Sequence, residues 1–218
     1  NERISEPHRA ELKAGRDKYD PSGGRAIGSR EMRDSKVAEY GGEMLYINKS
    51  ADQPMFQTEY SRDEGARLYQ DEFTPPFHKD GPAYNRNQDS HAIENIVRWY
   101  DYWRERPGSG TKVNSGGLNI IWADTNTHYR GDNNYRRSGE VDAMRIPKEG
   151  FYAHQVMWSG WVDGEKQASH IIGHWNYAAG VVKDMHVVST ADTVELFVNG
   201  KSLGKKTAEY GFLFTFPN

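Results

Sequence analysis

Apolar residues fall into short clusters along the chain, separated by polar and glycine-rich stretches, and their spacing predicts both helices and strands. Ser5 stands before "EPHRAELKAGRDKYD", with Glu6 and Pro7 in the first turn and Pro21 beyond the last, which predicts a capped helix. "DPSGG" is turn chemistry, and "RAIGS" after it reads as a short buried strand. "EMLYIN" and "PMFQTEY", separated by "KSADQ", read as a second and a third strand. Ile93, Ile96, Val97, Tyr100 and Trp103 recur at three- and four-residue steps and predict an amphipathic helix that "ERPGSG" ends. "GGLNIIWAD" is a fourth apolar strand. Short buried strands separated by helices or long loops predict a parallel α/β arrangement.

From about Gly180 the period changes. "DMHVVST" and "TVELFVNGKSLGKK" alternate with period two, and Asn199-Gly200 between apolar runs is a strong hairpin signal. These residues predict the start of an antiparallel sandwich, with the boundary at "GHWNYAAG", where small residues interrupt both patterns.

Composition narrows the function classes. Charged residues make up 27%, hydrophobic residues 36% and mean hydropathy is -0.91, yet aromatics reach 12%, with 6 Trp and 13 Tyr, too many for a disordered chain. The apolar runs are too short to span a membrane. A net charge of -3 without a basic block argues against a nucleic-acid partner. With Cys 0 there is no thiol or disulfide chemistry, which fits cytoplasm and periplasm alike. The chain opens at Asn1 without a methionine and stops at "FLFTFPN", so it reads as a piece of a longer gene. A piece of that kind is expected to leave a sheet edge and "VELFVNG" short of partners.

Several predicted strands end in polar or aromatic residues: Arg30 after "IGS", Glu59 and Tyr60 after "FQT", and Trp122 and Asp124 after "NII". In a (β/α)8 barrel, side chains at the carboxyl ends of the strands line the active site. An ionised carboxylate directly after a buried strand needs a partner or a function, and a salt-bridged strand end is the plain alternative for each. His128, Asp124 and Asp132 fit no ligand spacing, so no metal is expected, and no phosphate-cradling loop or Ser/His/Asp signature is present. The aromatic-rich "HQVMWSGWVDGE" reads as packing or as a sugar-stacking patch.

Five segments resemble glycoside hydrolase family 2, in order across almost the whole chain. "QPMFQTEYSRDEG" is similar to its nucleophile strand, and "GGLNIIWAD" to its last barrel strand, which closes on a Trp. "SGEVDAMRIPKEGFYAHQVMW" resembles the stretch that leads out of the barrel, and "HIIGHWNY" with "VVSTADTVELFVNGKSLG" the opening of the following sandwich domain. The resemblance implies residues 1–178 as the C-terminal portion of a (β/α)8 TIM barrel and residues 179–218 as the start of an immunoglobulin-like β-sandwich.

The resemblance also implies roles. Retaining hydrolysis needs two carboxyl groups about 5–5.5 Å apart, one attacking the anomeric carbon and one protonating the leaving oxygen. Glu59 matches the nucleophile, and Glu2, in the Asn-Glu pair that opens the chain, matches the acid/base. A poorly solvated pocket and the negative Glu59 would keep Glu2 protonated. Asn1 would bond the 2-hydroxyl, Tyr46 would donate to Glu59, Trp122 would stack on the sugar, and Asp124 would bind its hydroxyls. The implied activity is that of an exo-β-glycosidase, foremost a β-galactosidase, on oligosaccharides. It needs no cofactor, although some members use Mg²⁺. Alternatives are a β-glucuronidase-like or sulfated- or anhydro-galactan-acting enzyme, and a non-catalytic carbohydrate-binding fragment. A periplasmic or secreted location is favoured.

Two departures bear on the glycone. Arg62 stands where family galactosidases commonly have a His, and "TNTHYRGDNNYRRSG" carries Arg130, Arg136 and Arg137. Guanidinium forks suit carboxylate and sulfate, although pairing with Asp132 and Glu140 would also employ them. If Arg62 grips an anionic or bridging 6-substituent, Arg62→His lowers kcat/KM on such a substrate by about tenfold to a hundredfold. Activity on plain β-galactosides is then unchanged or raised, and equal loss on both substrates would remove the acidic-sugar role.

Overall fold

Residues 5–29, 40–44, 55–60, 88–103, 114–119, 121–125, 139–173 and 179–218 are described by the structure, a computed structural model. The chain forms two units, Asn1–Arg62 with Asp101–Ile120, and Asp63–Tyr100 with Ile121–Asn218.

In the first unit, helix α1 (Glu6–Tyr19) forms where its signals predict: Ser5 is extended at the N-cap and a proline sits in the first turn, and the last turn also carries Arg16 and Lys18. Ser5 makes no side-chain cap hydrogen bond; its carbonyl accepts from Arg9 N–H at 3.1 Å. Strands β1 (Gly28–Ser29), β2 (Tyr40–Met44), β3 (Met55–Tyr60) and β4 (Asn114–Asn119) form one sheet in the order β1-β2-β3-β4, every pair parallel. The expected parallel α/β arrangement is therefore present. The described parts of β2 and β4 begin ahead of "EMLYIN" and "GGLNIIWAD", because glycine-containing backbone joins the ladder before the apolar residues do.

The second unit holds helix α2 (Gln88–Trp103) as far as Tyr100, helix α3 (Glu149–Val162) and five antiparallel strands. On α2 the fully buried stripe is Ala92, Ile96 and Trp99, while Ile93, Val97 and Tyr100 are half-buried. Both series satisfy helical spacing and meet near Ile96; the stripe holding Trp99 goes inward because an indole removes more apolar surface from water. Asp89 at the start of α2 pairs with Lys183 at 2.6 Å. Helix α3 buries Ala153, Val156 and Met157, and packs on β5 (Ser169–Ile172) and β6 (Met185–Ser189). Gly160 permits this, since a Cβ there would lie 2.6 Å from the Phe212 ring. No described helix is long and apolar enough to cross a membrane.

Strands β5, β6 and β9 (Leu213–Phe216) make one antiparallel sheet in the order β5-β6-β9, and β7 (Thr193–Val198) pairs with β8 (Lys201–Thr207). The antiparallel sheet thus begins before residue 179. Asn199 and Gly200 have φ of 50° and 78°, the two positive values that a type I′ turn requires. "VELFVNG", expected to lack partners, is paired with β8, and "LFTF" is paired with β6. Met185, Val187, Leu196, Phe214 and Phe216 form a common core, with Val194 and Ala208 against it.

Phe214 is 0% exposed within that core. Phe214→Ala is expected to cost about 3–5 kcal/mol by leaving a cavity, and Phe214→Leu less than half of that. Denaturant titration of the intact protein measures both, and a loss under about 1 kcal/mol for Phe214→Ala would show that the core does not depend on this ring.

Candidate functional site

Three stretches of chain meet around Asp124. Ala123 bridges Val141 in parallel, and Val141 bridges Pro147 antiparallel. Asp124 N–H donates to Val141 O at 2.9 Å, Val141 N–H to Trp122 O at 3.0 Å, and Lys148 N–H to Glu140 O at 3.0 Å. Asp142 Oδ1 accepts from Met144 N–H at 2.8 Å and Ile146 N–H at 2.9 Å, an Asx turn that reverses the chain through Arg145 at φ 73°.

Side chains lock this lattice. Lys148 Nζ donates to Asp124 Oδ1 at 3.0 Å and Oδ2 at 3.2 Å, and Gly139 N–H donates to Oδ1 at 2.8 Å. Asp124 and Lys148 are each only 9% exposed. Two ions removed from water are tolerated only when they satisfy one another, as here. Gly139 has no room for a side chain: a Cβ would lie 2.6 Å from Ala123 C and 2.7 Å from Val141 O. Trp122, two residues before Asp124, is 61% exposed, with its ring edge-on to Phe151 at 5.7 Å.

Beside the lattice, the His154 ring stacks on buried Trp99 at 4.3 Å, and its Nδ1 lies 3.9 Å from Glu140 Oε1. Burial drives the His154 pKa down to about 4, so the ring is neutral at pH 7. Glu149 Oε2 accepts from Gly173 N–H and contacts His170 Nε2 at 2.8 Å, and Tyr152 stacks on the His170 ring.

Of the residues singled out in the sequence, Trp122 and Asp124 stand on either side of Ala123, which bridges Val141. Trp122 presents ring surface to solvent, and Asp124 is committed to Lys148 and Gly139. Glu59 is the penultimate residue at the carboxyl end of β3, its backbone opposite Met44 of β2. Asn1, Glu2, Tyr46 and Arg62 lie outside the described residues, as do Arg30, His128, Arg130, Asp132, Arg136 and Arg137. Among the described residues no group of three or more His, Asp or Glu could hold a metal ion. Sequence reasoning missed Lys148 and Gly139. The available signal was a lysine placed between a proline and an apolar helix, poor company for a solvated charge.

Residues 180–217 match a family model described as a domain of unknown function (DUF4982). The chain is 35% identical over 224 residues to a β-glucuronidase of Formosa agariphila, covering 98% of this chain and 22% of that protein. It is 44% identical over 69 residues to the β-galactosidase BoGH2A of Bacteroides ovatus, covering 31% of this chain and 8% of the relative. The chain thus spans about a fifth or less of the length of these curated relatives. Among solved structures, a β-glucuronidase of Parabacteroides merdae superposes with a TM-score of 0.67 at 20% identity, over 100% of this chain and 30% of that one.

His154 generates a pH prediction. Its folded pKa is depressed, so the unfolded chain binds the extra proton, and stability falls as pH drops from about 6.5 to 4 and then levels. His186 is also held below its usual value, mainly by burial, and acts in the same sense. His154 contributes at most about 3 kcal/mol, and His154→Phe, which keeps a ring on Trp99, should flatten the profile. Denaturation of the intact protein at pH 4.5 and 7 tests this; identical pH dependence in the variant would show that His154 protonates without cost.

Proposed function

The chain belongs to glycoside hydrolase family 2, and on that premise we propose that the intact protein is a retaining β-glycosidase. It removes a terminal β-linked acidic sugar, foremost a β-glucuronide, from an oligosaccharide. One observation carries the choice of glycone: the similarity to a protein named β-glucuronidase runs over 98% of this chain. Arg62, Arg130, Arg136 and Arg137 support it, since guanidinium forks complement a carboxylate. A β-galactosidase, foremost among the sequence expectations, is the second reading; its support is the 44% identity to BoGH2A over 31% of the chain.

In this reading β1 to β4 belong to the C-terminal portion of a TIM barrel, a reading supported by consecutive parallel pairing. The antiparallel strands, expected from residue 179 and paired from Ser169 of β5 onward, open an immunoglobulin-like sandwich, a reading supported by the family model over residues 180–217 and by the core shared among β6, β7 and β9. Glu59 attacks the anomeric carbon and Glu2 protonates the leaving oxygen, then activates water to release the glycosyl-enzyme. Asn1 holds the 2-hydroxyl, Tyr46 donates to Glu59, Trp122 stacks on the sugar, and Arg62 faces the 6-position. The two carboxyl groups suffice for the chemistry without a cofactor.

The test is a panel of aryl β-glucuronide, galactoside, glucoside and mannoside with the intact protein. The glucuronide is expected to give the highest kcat/KM, Glu59→Gln to abolish turnover, and Glu2→Ala to retain glycosylation by substrates with good leaving groups and to regain turnover with azide. Full activity in Glu59→Gln would overturn the mechanism, and preference for the galactoside would overturn the glycone.

A further inference from the structure

We infer that the buried Asp124–Lys148 ion pair fixes the pose of Trp122, so that Asp124 and Lys148 act as positioning residues for the sugar rather than as its ligands; this rests on the glycosidase reading above. Asp124 has its oxygens committed: Oδ1 to Gly139 N–H and Lys148 Nζ, Oδ2 to Lys148 Nζ, in a buried setting. An ammonium and an amide already take three contacts on a carboxylate only 9% exposed, so a sugar hydroxyl would have to compete for a group that is buried and engaged.

The contacts close a ring through Trp122. Val141 accepts from Asp124 N–H and donates to Trp122 O, bracketing the two residues from one neighbouring stretch. Asp124 grips Lys148. Lys148 O accepts from Phe151 N–H at 3.0 Å in the first turn of α3, and the Phe151 ring meets the Trp122 ring at 67°. The ion pair therefore governs both the backbone of Trp122 and the ring that flanks it. An indole 61% exposed on so constrained a support is the arrangement for stacking on a sugar's C–H surface without losing orientation freedom at binding.

The experiment uses the intact protein and whichever panel glycoside it cleaves fastest. Asp124→Asn and Lys148→Met are each expected to lower kcat/KM about tenfold or more. In a Trp122→Ala background neither is expected to change it beyond about twofold. Because each single substitution strands one buried charge, Asp124→Asn/Lys148→Met is the folding control: its melting temperature recovers while kcat/KM stays low. Effects that multiply with Trp122→Ala, wild-type kcat/KM in Lys148→Met, or full recovery of activity along with melting temperature would each overturn the proposal. If the wild type cleaves no panel member, the glycosidase reading falls separately, and hydrogen exchange still decides the clamp. Lys148→Met should then speed exchange of the Asp124 and Val141 amides about tenfold, and unchanged exchange would overturn it.

Discussion

Lys148 carries an ammonium into the interior, and its surroundings are arranged to make that tolerable. Desolvating such an ion costs several kcal/mol, which only a partner at hydrogen-bond distance can offset. Asp124 is that partner, 24 positions earlier in the chain and buried equally. For the carboxylate to be fully satisfied, Gly139 must bring its N–H within 2.8 Å, and this approach leaves no space for a Cβ. One ion pair thus sets the register of residues 121–125, 139–142 and 146–148, because a one-residue slip in any of them would strand a buried charge. Buried pairs of this kind add little net stability compared with apolar residues of the same volume, and their use lies in selecting one arrangement.

The consequences continue into α3, which starts one residue after Lys148. Its position brings His154 onto Trp99 of α2 and sets Gly160 against Phe212, which leads into β9. Helix α2 is tied to the segment before β6 by Asp89 and Lys183. An apolar helix held by polar anchors at its start and by aromatic packing along its length thereby joins the lattice to the antiparallel core. The neutral state of His154 belongs to the same economy: its ring serves as a flat apolar surface, and burial keeps the proton away.

What was legible in the sequence is what local chemistry specifies. Pro7 and Pro21 bracket α1, Asn199-Gly200 marks the β7–β8 turn, and apolar runs mark β3 and β6. Helix α3 was not legible from periodicity because "EGFYAHQVMWSGWV" is apolar nearly all round and has no single stripe to count. The buried face of α2 was shifted because two spacings compete, and side-chain volume, not period, decides between them. In the candidate site, Trp122 and Asp124 stood out as odd residues ending an apolar run, but the partner of Asp124 is a long-range pairing that no local pattern encodes. Glu59 was legible as a carboxylate closing an apolar run, and its place at the end of β3 follows from the same run.

Under the proposed reading, the buried pair also constrains how an acidic sugar would be recognised. Asp124 neutralises Lys148, so Lys148, although it lies close in sequence to the arginine-bearing stretch, adds no net charge for a substrate carboxylate. Its Nζ is occupied and sequestered, and reorienting it toward a ligand would strand Asp124. Under the proposed reading, other cations hold the uronate, and Arg62, Arg130, Arg136 and Arg137 are the candidates from the sequence. Guanidinium is suited to this division of labour. It stays charged, is weakly hydrated and grips a carboxylate in two-point geometry, whereas a compact ammonium is better spent, as Lys148 is, closing a dry internal lattice. A chain with lysine at the structural position and arginines at the candidate substrate positions uses each cation where its hydration and shape fit.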